Sequence, residues 1–220
     1  MDSMGVLGGH RVVPVVVLDD PDKADALGAA LVEGGLPVAE ATFRTPGAAA
    51  VLRRLAARDD LVVGAGTILT ERQVDEALDA GAGFIVSPGL SADVVRRCQQ
   101  AGVPVIPGVS TPSEIMRALD LGLDTVKFFP AEASGGLPMI KALAAAFPQV
   151  RFMPTGGITA DSAPTYLAHP AVAAVGGSWM VAPDLLAADR WDEVAARCAS
   201  TVAAVATPDP PQSVLRGAPA

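Results

Sequence analysis

Lys23, Lys127 and Lys141 are the only lysines of this chain, against a total of 16 basic residues. Lys127 stands inside the apolar run Thr125-Val126-Lys127-Phe128-Phe129-Pro130. Its β-branched and aromatic neighbours favour an extended strand, in which successive side chains point to opposite faces. Thr125, Lys127 and Phe129 then share one face, and Val126 and Phe128 the other. A charged lysine on an enclosed face is costly, and one way to relieve the cost is to shed the proton and become a nucleophilic amine. That is the chemistry of a Schiff-base lysine. The alternative is a structural lysine that snorkels from a strand end or pairs with a buried carboxylate such as Glu40.

A second polar group stands in Glu40-Ala41-Thr42-Phe43-Arg44-Thr45. Period two puts Glu40, Thr42 and Arg44 on one face, opposite Ala39, Ala41 and Phe43. Three polar side chains on an inner strand face form a site more readily than a core. Their structural alternative is an internal ion pair, Glu40 with Arg44 or Glu40 with Lys127. Further on, Gly64-Ala65-Gly66-Thr67 leaves room for a ligand beside the hydroxyl of Thr67, although glycines also mark tight strand-to-helix turns. Ser87-Pro88-Gly89-Leu90 and Pro107-Gly108-Val109-Ser110-Thr111 read equally well as turns. Two glycine pairs close the series, in Thr155-Gly156-Gly157-Ile158 and Gly176-Gly177-Ser178-Trp179. Exposed backbone N–H groups in such loops make an anion pocket; the alternative is close strand–helix packing.

The elements that must position these residues alternate. Strand-like runs cover residues 12–18, 36–43, 61–65, 84–87, 103–106, 124–129, 150–153 and 172–175. Helical spacing follows the first from Pro21 to Gly34-Gly35. It recurs over residues 46–57, 71–80, 92–101, 112–121, 139–147, 160–168 and about 190–205. Eight strands alternating with helices predict a (β/α)8 TIM barrel, an α/β fold with its site at the carboxyl ends of the strands. The chain divides into a lead-in over residues 1–11, loose from Met1 to Gly9, a single barrel domain over 12–205 and a proline-rich tail over 206–220, expected to be flexible.

Half of the 220 residues are hydrophobic and 4% aromatic, enough for one well-buried core. A net charge of −8 argues against nucleic acid and acidic membranes as partners. An anionic small molecule stays admissible, because local backbone dipoles hold a phosphate whatever the overall charge. The apolar run Val12–Leu18 is far shorter than the about 20 residues that cross a bilayer, so a cytoplasmic location is expected. Cys98 and Cys198 read as ordinary reduced thiols. Neither His10 nor His169 has a second ligand at metal-binding spacing, and no metal or other cofactor is expected.

With these pieces placed, the sequence resembles the 2-keto-3-deoxy-6-phosphogluconate (KDPG) and 4-hydroxy-2-oxoglutarate (KHG) aldolase family from about Val12 to Ala199. The motifs above carry the resemblance, together with Ile106-Pro107-Gly108, Lys127-Phe128-Phe129-Pro130-Ala131-Glu132 and Pro154-Thr155-Gly156-Gly157-Ile158. It implies a class I lyase that cleaves a sugar-phosphate 2-oxo acid without a metal. Lys127 would form the Schiff base and Glu40 would be the general acid/base. Arg44 and Thr67 would hold the substrate carboxylate, and Pro88, Phe129 and Thr155 would shape the pocket. Gly156, Gly157, Gly177 and Ser178 would bind the phosphate. The turn Ala133-Ser134-Gly135-Gly136 resembles the phosphogluconate branch of the family and not the galactonate-specific one. A homotrimer is implied by the resemblance alone, and the proline-rich tail has no counterpart in it. Two other functions remain open from the residues: a phosphate-binding barrel isomerase or synthase with Lys127 as a charged anchor, and a non-catalytic sugar-phosphate-binding barrel.

Overall fold

Seven of the eight strand-like runs coincide with strands in the computed structural model, which describes residues 5–206. Residues 1–4 and 207–220 lie outside the described residues, and with them the expectations for the tail and for the first part of the lead-in. The strands are β1 (Val12–Val16), β2 (Val38–Thr42), β3 (Val62–Gly66), β4 (Phe84–Val86), β5 (Val105–Ile106), β6 (Gly108–Val109), β7 (Thr125–Phe128), β8 (Arg151–Pro154) and β9 (Val175–Gly177). The helices are α1 (Ala24–Glu33), α2 (Ala48–Ala56), α3 (Glu71–Asp79), α4 (Ala92–Ala101), α5 (Pro112–Asp120), α6 (Gly136–Ala146), α7 (Ala163–Leu167), α8 (Pro183–Ala187) and α9 (Trp191–Val205).

All paired strands are parallel. They form a six-stranded sheet in the order β5-β4-β3-β2-β1-β9 and a three-stranded sheet in the order β6-β7-β8. Pro107 alone separates β5 from β6; it has no N–H to give a ladder, yet its carbonyl accepts from the Lys127 N–H at 2.8 Å. At the other side an isolated bridge joins Thr155 to Gly176. The architecture is α/β, a curled parallel sheet with helices packed along it.

The two strand faces are filled differently. Val12, Val16, Ala39, Ala41, Val63, Ala65, Ile85, Val126, Phe128 and Phe152 pack against helix residues such as Leu27, Leu31, Leu52, Leu55 and Val94 in one large core. These helix positions recur at three- and four-residue spacing, the signature of an apolar stripe. The opposite face carries a smaller cluster: Leu7, Val13, Val38, Phe84, Val86, Ile106, Met153 and Ala174. A Cβ at Gly64 would come within 2.3 Å of the Phe84 ring, so that glycine makes space for the largest side chain of this layer.

Local signals set the helix starts. Thr111 and Glu114 form a reciprocal capping box on α5, with Pro112 in the first turn. Partial burial pushes the Glu114 carboxyl up. Hydrogen bonds from the N–H and hydroxyl groups of Ser110 and Thr111 outweigh it and hold the group below its ordinary value. Cys98 and Cys198 are unpaired and buried, and burial pushes both thiols up to about 12.

Four expectations are corrected. The last strand is Val175–Gly177, later than residues 172–175, and Val172 keeps only an isolated bridge to Phe152. Gly176 and Gly177 therefore belong to the strand, because without a Cβ they admit the Thr155 side chain and the Trp179 ring beside the ladder. The lead-in is not loose throughout: Gly5–Leu7 forms a 3-10 turn that buries Leu7 completely against the inner apolar layer. The α7 helix starts at Ala163 and not at residue 160, since Thr159 and Ser162 use their hydroxyls on each other's N–H groups in a closed turn. Two short elements, the 3-10 turn Trp179–Val181 and α8, were too brief for helical periodicity to mark.

Candidate active site

Strands β2 and β7 bring Glu40 and Lys127 to the same face, 87 positions apart in sequence. Lys127 Nζ lies 3.0 Å from Glu40 Oε1 and 3.3 Å from Oε2. Lys127 is 3% exposed and Glu40 is fully buried. A Cβ at Gly66 would fall 2.1 Å from Glu40 Oε1, so the glycine is the space that the carboxylate occupies. Nζ also stands 5.4 Å from the centre of the Phe129 ring. The Glu40–Lys127 pair, named from the sequence as the structural alternative, thus exists. The same geometry holds an amine and a carboxylate within proton-transfer reach, away from water.

Arg44, just beyond β2, does not join that pair. Its Nε donates to Thr67 Oγ1 at 3.0 Å, its side chain is exposed, and it meets no carboxylate among the described residues. Thr67 itself has φ +59°, a left-handed conformation that a β-branched residue rarely adopts. Such strain costs on the order of 1–3 kcal/mol and gathers at binding and catalytic sites. Here it sets a hydroxyl beside a free guanidinium at the end of β3. Thr42, the third polar residue of β2, is consumed structurally by donating to the Val16 carbonyl at 2.8 Å.

A cleft of about 190 Å³ is lined by Val15, Arg44, Phe129, Thr155 and Ile158 and by the backbone of Gly156, Gly157, Gly176, Gly177 and Ser178. It brings together seven residues singled out from the sequence: Arg44, Phe129, Thr155, Gly156, Gly157, Gly177 and Ser178. Pro88 lies elsewhere. Its carbonyl packs on Gly108, where a Cβ would approach to 2.2 Å, and Gly108 is the register partner of Lys127.

The glycines serve packing as well as the cleft. Gly156 and Gly157 have φ +98° and +83°, and a Cβ on Gly157 would meet the Glu132 side chain at 2.6 Å. Among the described residues, the N–H groups of Gly157 and Ser178 donate to no protein acceptor. Both residues are exposed at the cleft, where two unpaired backbone donors suit an anion.

Several contributors escaped sequence reasoning. Val15 lines the cleft and pairs in register with Glu40; the Val13–Val15 alternation on β1 was the available signal. Tyr166, the sole tyrosine, donates from its hydroxyl to Glu132 Oε1 at 2.5 Å and ties α7 to the segment after β7. Burial, then the contact with Glu132, raises the phenol above its ordinary value.

Comparison with known proteins puts the chain among the aldolases, enzymes that cleave carbon–carbon bonds. Residues 5–197 match the family model described as "KDPG and KHG aldolase", and the chain belongs to that family. It is 47% identical over 185 residues to the 2-dehydro-3-deoxy-phosphogluconate aldolase of Haemophilus influenzae, covering 84% of this chain and 87% of that one. With the KHG/KDPG aldolase of Escherichia coli it shares 44% over 190 residues, 86% of this chain and 89% of the relative. Among solved structures it resembles the KDPG aldolase of Legionella pneumophila with pyruvate captured at low pH as a covalent carbinolamine intermediate. That likeness has a TM-score of 0.88 and 40% identity, covering 91% of this chain and 98% of the other. The Zymomonas mobilis enzyme with 3-phosphoglycerate gives a TM-score of 0.85 and 43% identity, over 91% and 94% of the two chains.

Proposed function

We propose that the protein is a class I aldolase that cleaves 2-dehydro-3-deoxy-6-phosphogluconate to pyruvate and glyceraldehyde 3-phosphate. We extend the activity to 4-hydroxy-2-oxoglutarate, in line with the name of the Escherichia coli relative. The observation that carries the proposal is the enclosed Lys127–Glu40 pair, an amine and a carboxylate 3.0 Å apart, which do not themselves line the cleft but adjoin two residues that do, Phe129 and Val15.

In the proposed reaction the Lys127 amine adds to the C2 carbonyl of the substrate, and loss of water leaves a cationic imine. Glu40 carries the protons of that addition and elimination, then takes the proton of the C4 hydroxyl. The C3–C4 bond breaks, its electron pair flows into the imine, and C4 departs as the aldehyde. Protonation of C3 and attack of water on the imine return pyruvate and the free lysine. Arg44 and the Thr67 hydroxyl hold the substrate carboxylate, a site of fixed charge and fixed donor. Phe129 and Thr155 wall the pocket, Pro88 backs Gly108 beside Lys127, and the N–H groups of Gly157 and Ser178, with Gly156 and Gly177 beside them, receive the phosphate.

The proposal includes a closed (β/α)8 barrel over residues 12–205. The single-residue gap at Pro107 and the Thr155–Gly176 bridge support it, since each spans a break between the two sheets. A trimer is proposed on the family resemblance, with sedimentation as its check.

The decisive experiment is incubation with pyruvate and borohydride, with and without a chelator, followed by peptide mass mapping. A reduced adduct on Lys127 in both arms is expected. No adduct, with activity lost to the chelator, would exclude imine chemistry. The short ion pair also fits a barrel isomerase or synthase in which Lys127 is a charged anchor. Lys127→Arg separates the two, because an anchor tolerates it in part and imine formation does not.

A further inference from the structure

The neighbour of Ser178, Trp179, is held by α9. Trp179 follows Ser178, and its ring occupies the space of the missing side chain at Gly177, where a Cβ would fall 1.8 Å from a ring carbon. The indole Nε1 donates to Thr201 Oγ1 at 2.9 Å, and that hydroxyl donates in turn to the Arg197 carbonyl at 2.8 Å. Arg197 Nη1 donates to the Trp179 carbonyl at 2.9 Å, while its Nη2 pairs with Glu193 at 2.5 Å. Glu193, Arg197 and Thr201 are spaced four apart along α9 and share one face.

The Trp179 ring packs on Gly177 and the core on one side, and the clamp holds its open side. A groove of about 550 Å³ opens beside it, lined by Trp179, Arg197, Ser200 and Thr201 among others. The ring and the Trp179 carbonyl are therefore fixed on that side by directed hydrogen bonds. Ser178 lies between the two fixed points, Gly177 under the ring and the Trp179 carbonyl under the guanidinium.

We propose that Arg197 and Trp179 are positioning residues for substrate specificity: the α9 clamp aims the Ser178 N–H at the phosphate end of the cleft and so favours phosphorylated over unphosphorylated 2-oxo acids. The proposal rests on the phosphate role assigned above to the Gly157 and Ser178 amides. A hydrogen bond to an anion weakens steeply once the donor turns away, so loss of aim acts on the phosphorylated substrate alone.

The test compares KM and kcat for 2-dehydro-3-deoxy-6-phosphogluconate and for 4-hydroxy-2-oxoglutarate, which has no phosphate. Arg197→Met keeps the stem and removes both donors. Its KM for the phosphorylated substrate should rise about tenfold, the equivalent of one charge-assisted hydrogen bond, with kcat and both constants for the unphosphorylated substrate little changed. Arg197→Lys, which retains a donor for the Trp179 carbonyl, should fall between, and Thr201→Val should raise the same KM by a smaller factor. Ser178→Glu examines the underlying phosphate assignment, because a carboxylate there repels the phosphate and must raise that KM. An effect of Ser178→Glu without one of Arg197→Met would overturn the positioning role and leave the phosphate assignment standing. No effect of either would remove both. Equal losses on the two substrates in Arg197→Met would show a purely structural role and likewise overturn the proposal.

Discussion

The starts and the ends of the same strands are built from opposite chemistry. The inner face carries Val13, Val38 and Phe84 near the starts of β1, β2 and β4, and Ile106 and Met153 further along β5 and β8, all fully buried and all apolar. Two residues further along, the same face of β2 carries Glu40 and that of β8 leads to Thr155, while β7 presents Lys127. The apolar end needs only volume and shape, which the hydrophobic effect rewards. The polar end keeps two charges out of water, which is tolerable only because each is the other's partner. One end therefore bears on stability and the other on chemistry, although both are equally buried.

The largest effect expected from breaking this division is at Lys127. Lys127→Ala should lower kcat/KM on the order of a thousandfold or more, since in the proposed reaction Lys127 supplies the imine nitrogen. Circular dichroism at the assay temperature verifies that folded protein is being assayed, and substantial residual cleavage would refute the nucleophile. Glu40→Gln keeps the volume that Gly66 accommodates and removes the proton carrier. Turnover should drop about 10²–10⁴-fold, and a smaller change in kcat than in KM would argue that Glu40 only binds. At the apolar end, Phe84→Ala leaves a cavity beside Gly64 and should cost about 3–5 kcal/mol in urea unfolding. Its kcat per folded molecule should stay near that of the unaltered protein; a collapse of kcat would mean that the two ends are not separable.

The smallest effect lies outside both ends, at the α5 cap. Glu114 titrates below its ordinary value in the folded protein. Its contribution is thus fully present above the unfolded carboxylate's pKa and disappears as pH falls through the depressed folded one. At pH 7 Glu114→Gln should cost about 1 kcal/mol, the usual magnitude for a cap. The difference between the two proteins in urea midpoint should close in acid, and a gap that persists there would assign it to shape and not to charge.

Much of this was legible in local patterns. Apolar patterning located β1 to β5, β7 and β8 to within a few residues, because a strand covered on both faces needs a continuous apolar run wherever it sits; the two-residue β6 stood in a stretch that read equally well as a turn. Patterning failed at Val175–Gly177, where the strand is made of glycines and has no side-chain period to read. Helix starts with hydroxyl caps, Thr70, Ser91 and Thr111, were found at their true positions. That of α7 was placed three residues early, because the Thr159–Ser162 turn precedes it, and α8 was missed, because a five-residue helix gives too few turns for a stripe.

At the site, period two alone put Glu40 and Arg44 on one strand face and Lys127 on another, and side-chain chemistry alone said what an enclosed lysine could do. Those are properties of neighbours in sequence, so the chain determined them before folding. Which cation Glu40 meets was decided only by the tertiary structure. The choice of Lys127 over Arg44 as the buried partner of Glu40 depends on strand register and on the volume absent at Gly66, 26 residues from Glu40 in the chain and beside it in space. The left-handed Thr67, the unpaired Ser178 N–H and the α9 clamp behind it have the same origin. Each is fixed by contacts between distant segments, and short-range periodicity carries no record of such contacts.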